Sequence, residues 1–232
     1  MEPGGVSSSG ALTFPSPNHG ERRGVQRPDL IVLHYTGMAD AASARARLCD
    51  PEAEVSAHWL LHEDGRAEPL VAEDRRAWHA GAGSWRGRGD VNSHSIGIEI
   101  VNPGDRPFPA AQMAGLERLL RDIMGRWGIG PAGVIGHSDM APGRKTDPGP
   151  RFDWRRLARE GLAIWPDTPQ EGNPPPLEDS LTRIGYPPAD AQTRLAAFRA
   201  RFHPGAEGPE SDADRSVAAA VASLPQLGET LA

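Results

Sequence analysis

One cysteine, Cys49, and one lysine, Lys145, are all that this chain of 232 residues contains of either type. A single thiol cannot close an internal disulfide, and it cannot supply the several cysteines that structural zinc sites often use. Long apolar runs are also missing: none approaches the ~18 residues of a membrane-spanning helix. There is no basic excess either. The formal net charge is −6, which disfavours work on nucleic-acid backbones, because those reward a positive face. What is present is a globular balance of 38% hydrophobic and 24% charged residues, in a length that suits one ordinary domain and a small companion.

Beside Lys145 stand 24 arginines. Arginine thus fills the solvated basic positions. A solitary lysine suits a place that needs a compact, pKa-tunable ammonium instead of a planar fork. Codon bias and chance form the plain alternative.

Residues 1–27 are polar and rich in glycine, serine and proline, and read as a flexible lead-in. They contain no charged stretch followed by an apolar one and no early cysteine for a lipid, so a cytoplasmic location is expected. Asp29–His34 (DLIVLH) reads as a buried strand and Ala39–Leu48 as a helix. Ala57–Leu61 and Ala67–Val71 flank an Asp64-Gly65 turn and predict a hairpin. Ser95–Val101 (SIGIEIV) alternates, with Ile96, Ile98 and Ile100 on one face and Gly97 and Glu99 on the other. Pro109–Trp127 has the helical period, Val134–His137 reads as a short strand, and Asp153–Trp165 as a helix. Residues 166–176 (PDTPQEGNPPP) predict a proline-dense linker. The helical segments Leu177–Ile184, Asp190–Arg201 and Asp212–Leu224 follow, a small group for an independent core and one expected to dock on the main domain.

Three features converge on chemistry. His34 and His137 each end a predicted strand, and Asp147 lies ten residues beyond His137 in the stiff loop GRKTDPGP. Two imidazoles and a carboxylate suit zinc and leave a fourth position for water. Each member alone has a plainer reading: a strand-end histidine is often only hydrogen-bonded, and an aspartate before proline is often turn chemistry. Glu99, a carboxylate amid isoleucines, either faces solvent from an edge or points into a cleft, where it can move protons. Lys145, two residues before Asp147, would then lie near the same centre and could steady an oxyanion. His58 reads as a packing or hydrogen-bonding residue. Trp78 and His79, with the long glycine-rich loop after them that ends at Asn92, read as the wall of a substrate cleft.

The segments LHYTG, SAHWLL, AWHAG, NSHSIGIEIVN and GHSDMAPGRKTDPGPRFDW, in that order over residues 29–157, resemble the zinc N-acetylmuramoyl-L-alanine amidases of the AmpD/AmiD type, the amidase-2 group. The tail, LEDSLTRIGY, LAAFRARFHP and SDADRSVAAA, is similar to the helical peptidoglycan-binding domain of the AmiD branch. The resemblance implies an α/β fold with a central mixed β-sheet flanked by helices, plus a small all-α C-terminal domain. It divides the chain into a lead-in (1–27), a catalytic domain (28–165), the linker (166–176) and the helical domain (177–232). His34, His137 and Asp147 match the ligands of one Zn2+ per chain, Glu99 the catalytic glutamate, and Lys145 the lysine that steadies the transition state. Trp78, His79 and Asn92 are expected to contact substrate.

The implied reaction is hydrolysis of the amide between N-acetylmuramic acid and L-alanine, in peptidoglycan or in anhydro-muropeptides. Those are the expected partners, with no nucleic acid and no integral membrane segment. The chain joins a cytoplasmic-looking start to an envelope-type tail, so the periplasm or cell envelope is the alternative location. Two competing readings are a recognition protein that binds peptidoglycan without cutting it and a protein with a structural zinc. The first usually loses a ligand that is present here. The second usually needs a fourth protein ligand, and none is evident nearby.

Overall fold

The computed structural model describes residues 14–166 and 172–228. The other parts of the expected lead-in (1–13), linker (167–171) and tail (229–232) lie outside the described residues. In chain order the elements are β1 (His19–Gly20), β2 (Leu30–Tyr35), α1 (Ala41–Cys49), β3 (Trp59–Leu61), β4 (Ala67–Pro69), β5 (Arg76–Ala77), α2 (Val91–His94), β6 (Ser95–Ile100) and α3 (Ala110–Trp127). They continue with β7 (Val134–Gly136), α4 (His137–Met140), α5 (Trp154–Arg159), α6 (Leu177–Ile184), α7 (Ala191–Phe202) and α8 (Asp212–Ala222).

Five strands form a mixed sheet in the order β4-β3-β6-β2-β7, while β1 and β5 pair in a separate ribbon. β3, β6, β2 and β7 run parallel, and β4 returns antiparallel at the edge through the expected hairpin. Parallel strands bring their carboxyl ends to one edge, where an α/β sheet ordinarily builds its site. His34 is register partner of Glu99 near the ends of β2 and β6, and His137 directly follows β7.

The alternation read from the sequence sorts the two faces of the sheet. Ile31, Leu33, Ile96, Ile98 and Ile100 pack with Met113, Leu116, Leu120 and Ile123 of α3. Pro109 starts that helix, and Gly128, at φ +68°, ends it in the left-handed conformation that glycine adopts without penalty. On the other face, Leu30, Val32 and Ile135 join Trp85, Met140 and side chains of α6 to α8 in one cluster. Leu181, Ile184, Phe198 and Val221 from those helices are each 0% exposed. Burying one such side chain is worth ~1.5–3 kcal/mol before conformational entropy is counted. The tail helices therefore help to close the core under β2 and β7.

Two local expectations change. His137 does not end a strand; it opens the one-turn helix α4. The helix expected over Asp153–Trp165 stops at Arg159, because Gly161 turns to φ +69° and Leu162 N–H bonds back to Leu157. Among the described residues no helix is long and apolar enough to cross a membrane.

Candidate metal centre

The structure brings His34, His137 and Asp147 together. His34 Nδ1 lies 2.9 Å from His137 Nδ1 and 2.9 Å from Asp147 Oδ2, and His137 Nδ1 lies 3.0 Å from that same oxygen. All three side chains are buried. Ser138 N–H donates to the backbone carbonyl of Asp147 (2.9 Å), which ties the α4 turn to the loop that carries the aspartate.

The surrounding hydrogen bonds decide which ring nitrogens carry protons. His137 Nε2 sits 2.8 Å from the carbonyl of Ala80, an obligate acceptor, and farther, at 3.3 Å, from Arg144 Nη2, which spends its proton on that same carbonyl at 2.6 Å, so Nε2 is protonated and Nδ1 keeps its lone pair. The tautomer of His34 is fixed by a longer chain of partners. Ser95 Oγ donates to the Val91 carbonyl (2.6 Å) and therefore accepts from His79 Nε2 (3.3 Å). His79 Nδ1 is then an acceptor, and it takes the Nε2 proton of His34 at 3.0 Å. His34 Nδ1 is left with a lone pair as well. Two lone pairs and a carboxylate oxygen thus point at one spot with no proton between them, an arrangement that repels unless a cation sits there.

Protons could bridge the three atoms, but burial resists this. Burial, reinforced by His137, lowers the His34 pKa from 6.5 to about 4. Burial raises the pKa of Asp147; a proton shared from His137 or His34 would outweigh it and hold this carboxyl below the ordinary carboxylate range, but only by charging a buried ring. A divalent cation satisfies all three groups without charging a buried ring. The donor set, two imidazole nitrogens and one carboxylate oxygen within 3.0 Å of each other, fits one ion with ligands at about 2 Å.

A cleft of about 390 Å³ opens beside this triad, and Trp78, His79, Glu99, Arg144 and Lys145 stand among its walls. Glu99 is half-buried, and its Oε2 is sealed from solvent with no hydrogen-bond partner. Burial, then the charge of Asp147, pushes its pKa up to about 8, with Lys145 opposing. Lys145 stands exposed on the cleft rim.

The remaining expected residues separate. Trp78 is half-buried in the cleft wall. His79 also reaches that wall, but its ring is buried and both its nitrogens are engaged by His34 and Ser95. Asn92 is not brought to the cleft. It is buried, and its Oδ1 accepts from the backbone N–H groups of His79 (3.0 Å) and Ala80 (2.8 Å), so it shapes the segment that buttresses both histidine ligands. His58 is a buried structural residue, as expected: its Nδ1 accepts from Gly97 N–H (2.9 Å) and its Nε2 donates to the Arg75 carbonyl (3.0 Å).

Sequence reasoning missed Arg144, which donates to the Ala80 carbonyl at 2.6 Å, and Ser95, which anchors the His79 relay. It also passed over what Gly97 does. A Cβ there would lie 2.4–2.7 Å from ring atoms of His79, so glycine makes room for the imidazole on the sheet. A glycine inside a strand was the available signal, since it often marks a close approach.

Comparison with known proteins gives consistent matches. The Amidase_2 family model, described as N-acetylmuramoyl-L-alanine amidase, matches residues 24–150. The chain is 35% identical to the N-acetylmuramoyl-L-alanine amidase AmiD of Escherichia coli (strain K12), covering 88% of this chain and 84% of that protein. It is likewise 35% identical to the 1,6-anhydro-N-acetylmuramyl-L-alanine amidase AmpD of Enterobacter cloacae, over 63% of this chain and 88% of the relative. The structure of E. coli AmiD with the substrate anhydro-N-acetylmuramic acid-L-Ala-D-gamma-Glu-L-Lys superposes with a TM-score of 0.75 at 35% identity, covering 86% of this chain and 92% of that one. AmpDH3 from Pseudomonas aeruginosa, solved with anhydromuramic pentapeptide, gives 0.74 at 31% identity, over 93% and 96% of the two chains.

Proposed function

Since the chain belongs to the N-acetylmuramoyl-L-alanine amidase family, we propose that its His34–His137–Asp147 triad holds zinc and that Glu99 and Lys145 work beside it. The chain is an amidase that hydrolyses the bond between N-acetylmuramic acid and L-alanine. The observation that carries the site reading is the convergence of two Nδ1 lone pairs and a carboxylate oxygen next to a partner-free carboxylate in an open cleft.

Bound there, zinc supplies Lewis acidity at the scissile carbonyl. The rest falls to the side chains. Glu99 takes a proton from the attacking water onto its carboxylate. The same carboxyl then returns that proton to the departing L-alanine nitrogen, so it ends the cycle as it began. Its sealed, partner-free oxygen lifts its proton affinity toward neutral pH, where both transfers run without a steep penalty. Lys145 extends an ammonium toward the carbonyl oxygen as negative charge gathers on it. His79 and the Ala80 carbonyl keep His34 and His137 in the tautomers that a metal requires. Trp78 offers an apolar wall for the muropeptide.

The substrate is a muropeptide, and the relatives solved with anhydro-muropeptides support the anhydro form as one that fits this cleft. Mass spectrometry of products from purified sacculi and from anhydro-muropeptide tests the reading. Release of L-Ala-headed peptides from either supports it. No release from either, with zinc bound, would favour a recognition protein instead.

A further inference from the structure

Asp139 lies two residues beyond His137 and is 0% exposed. Its carboxylate reaches back to Gly136 N–H at 2.8 Å, the residue just before the ligand. That contact fixes the entry into α4 and so the direction in which His137 leaves the sheet. Two side chains from the tail hold the carboxylate in place. Tyr186 Oη donates to Oδ1 at 2.7 Å, and Arg201 Nη1 donates to Oδ2 at 2.6 Å. Arg201 also donates through Nη2 to the Val134 carbonyl at 3.0 Å, and it lies 4.1 Å over the Trp154 ring. One guanidinium therefore bridges the start of β7 and the turn at its end, the two points between which His137 is presented.

The tail meets the metal loop at a second place. A Cβ on Gly143 would lie 2.8 Å from Thr193 Cγ2, so α7 packs against the stretch that leads to Lys145 and Asp147. Trp85 and Tyr186 meet edge to face at 5.4 Å, and Arg86 N–H donates to the Gly185 carbonyl at 3.0 Å. These contacts make the helical segment a backing for the cleft.

We propose that Arg201 and Tyr186 are positioning residues for the metal centre, acting through Asp139 to aim His137. The inference deepens the metal reading given above and rests on it. A purely structural role would lower the stability of the fold without changing metal affinity, provided the metal-free protein stays folded. A positioning role changes the affinity itself.

The test measures zinc dissociation constants by chelator competition on the full chain, with circular dichroism to confirm folding. Tyr186→Phe deletes one hydroxyl and leaves Arg201 on Asp139. Arg201→Lys keeps the charge but cannot bridge both Asp139 and Val134 as a fork does. Val221→Ala in α8 is the control, since it loosens the same core without touching Asp139. The expected result is a dissociation constant raised about tenfold in each of the first two variants, in line with the usual effect of disturbing the supports of a metal ligand, and unchanged within twofold in Val221→Ala. Equal affinities throughout, or an equal loss in the control, overturn the inference while the metal site stands. A wild-type protein that binds no zinc overturns the metal reading itself.

Discussion

Replacing His79 by leucine should weaken zinc binding far more than it weakens the fold. The substitution removes the acceptor for the buried proton on His34 Nε2, the nitrogen that lies 3.0 Å from His79 Nδ1. In the metal-free variant His34 can move that proton to Nδ1 and donate to Asp147 Oδ2, only 2.9 Å away. Metal forbids that escape, because it needs the Nδ1 lone pair, and then Nε2–H is buried with no partner. Such an unsatisfied donor costs ~1–3 kcal/mol. At 1.4 kcal/mol per factor of ten, that is a loss of ~5–150-fold in affinity. Removing the hydrogen-bond partner of a ligating histidine typically costs about 10–100-fold, the same range reached independently. Chelator competition reads the dissociation constant, and nitrogen-detected imidazole NMR of the metal-free protein reads the tautomer of His34. His79→Asn places an acceptor oxygen near the Nδ1 position and should restore most of the affinity. An affinity within twofold of wild type in the leucine variant, or an asparagine variant as weak as leucine, would refute the relay.

Glu99→Gln should keep zinc and lose about 10²–10⁴-fold in turnover, measured with anhydro-muropeptide; wild-type rates would remove Glu99 as the proton carrier. Asp147→Ala should lose the metal, and elemental analysis finding one zinc per chain would overturn the ligand assignment. Gly97→Ala should lower stability by ~1–3 kcal/mol in urea titration and weaken zinc binding, because the new Cβ displaces the His79 ring; unaltered values for both would show that the ring has room to move. Metal-free protein should lose stability as the pH falls from about 6.5 toward 4. Burial holds His34 near pKa about 4 and His58 near about 3, and it places His79 well below 6.5. The unfolded chain therefore binds more protons in that window, and for His34 alone the loss is roughly 3 kcal/mol. Glu99 works in the opposite sense, since its raised pKa makes the folded state the stronger proton binder between 4.5 and about 8, but it is one group against three. A urea midpoint that is flat from pH 7 to pH 4 would contradict the neutral, buried histidines.

Much of the site was legible before any coordinates. SIGIEIV carries a period of two, so β6 and the face that holds Glu99 follow from alternation, while the unbroken apolar run of DLIVLH marks β2 as a buried strand without saying which face His34 takes. The tail helices α6, α7 and α8 fall within two residues of the segments read from amphipathic spacing. The end of α5 was missed because Gly161 in the left-handed conformation stops a pattern that otherwise continues to Trp165. Asn92 looked like a loop residue free for substrate, but its amide is used up by two backbone donors, a fact that spacing does not encode.

The sequence by itself determined the elements and the kinds of atoms available, because alternation, helical period and side-chain chemistry are local properties. The tertiary structure alone decided which nitrogens of His34 and His137 are free for a metal, since the partners that fix the tautomers, His79 with Ser95 and the Ala80 carbonyl, come from distant segments. It also decided that the tail backs the metal turn. Arg201 and Asp139 lie 62 residues apart in the chain and meet only because the sheet needs its second face covered.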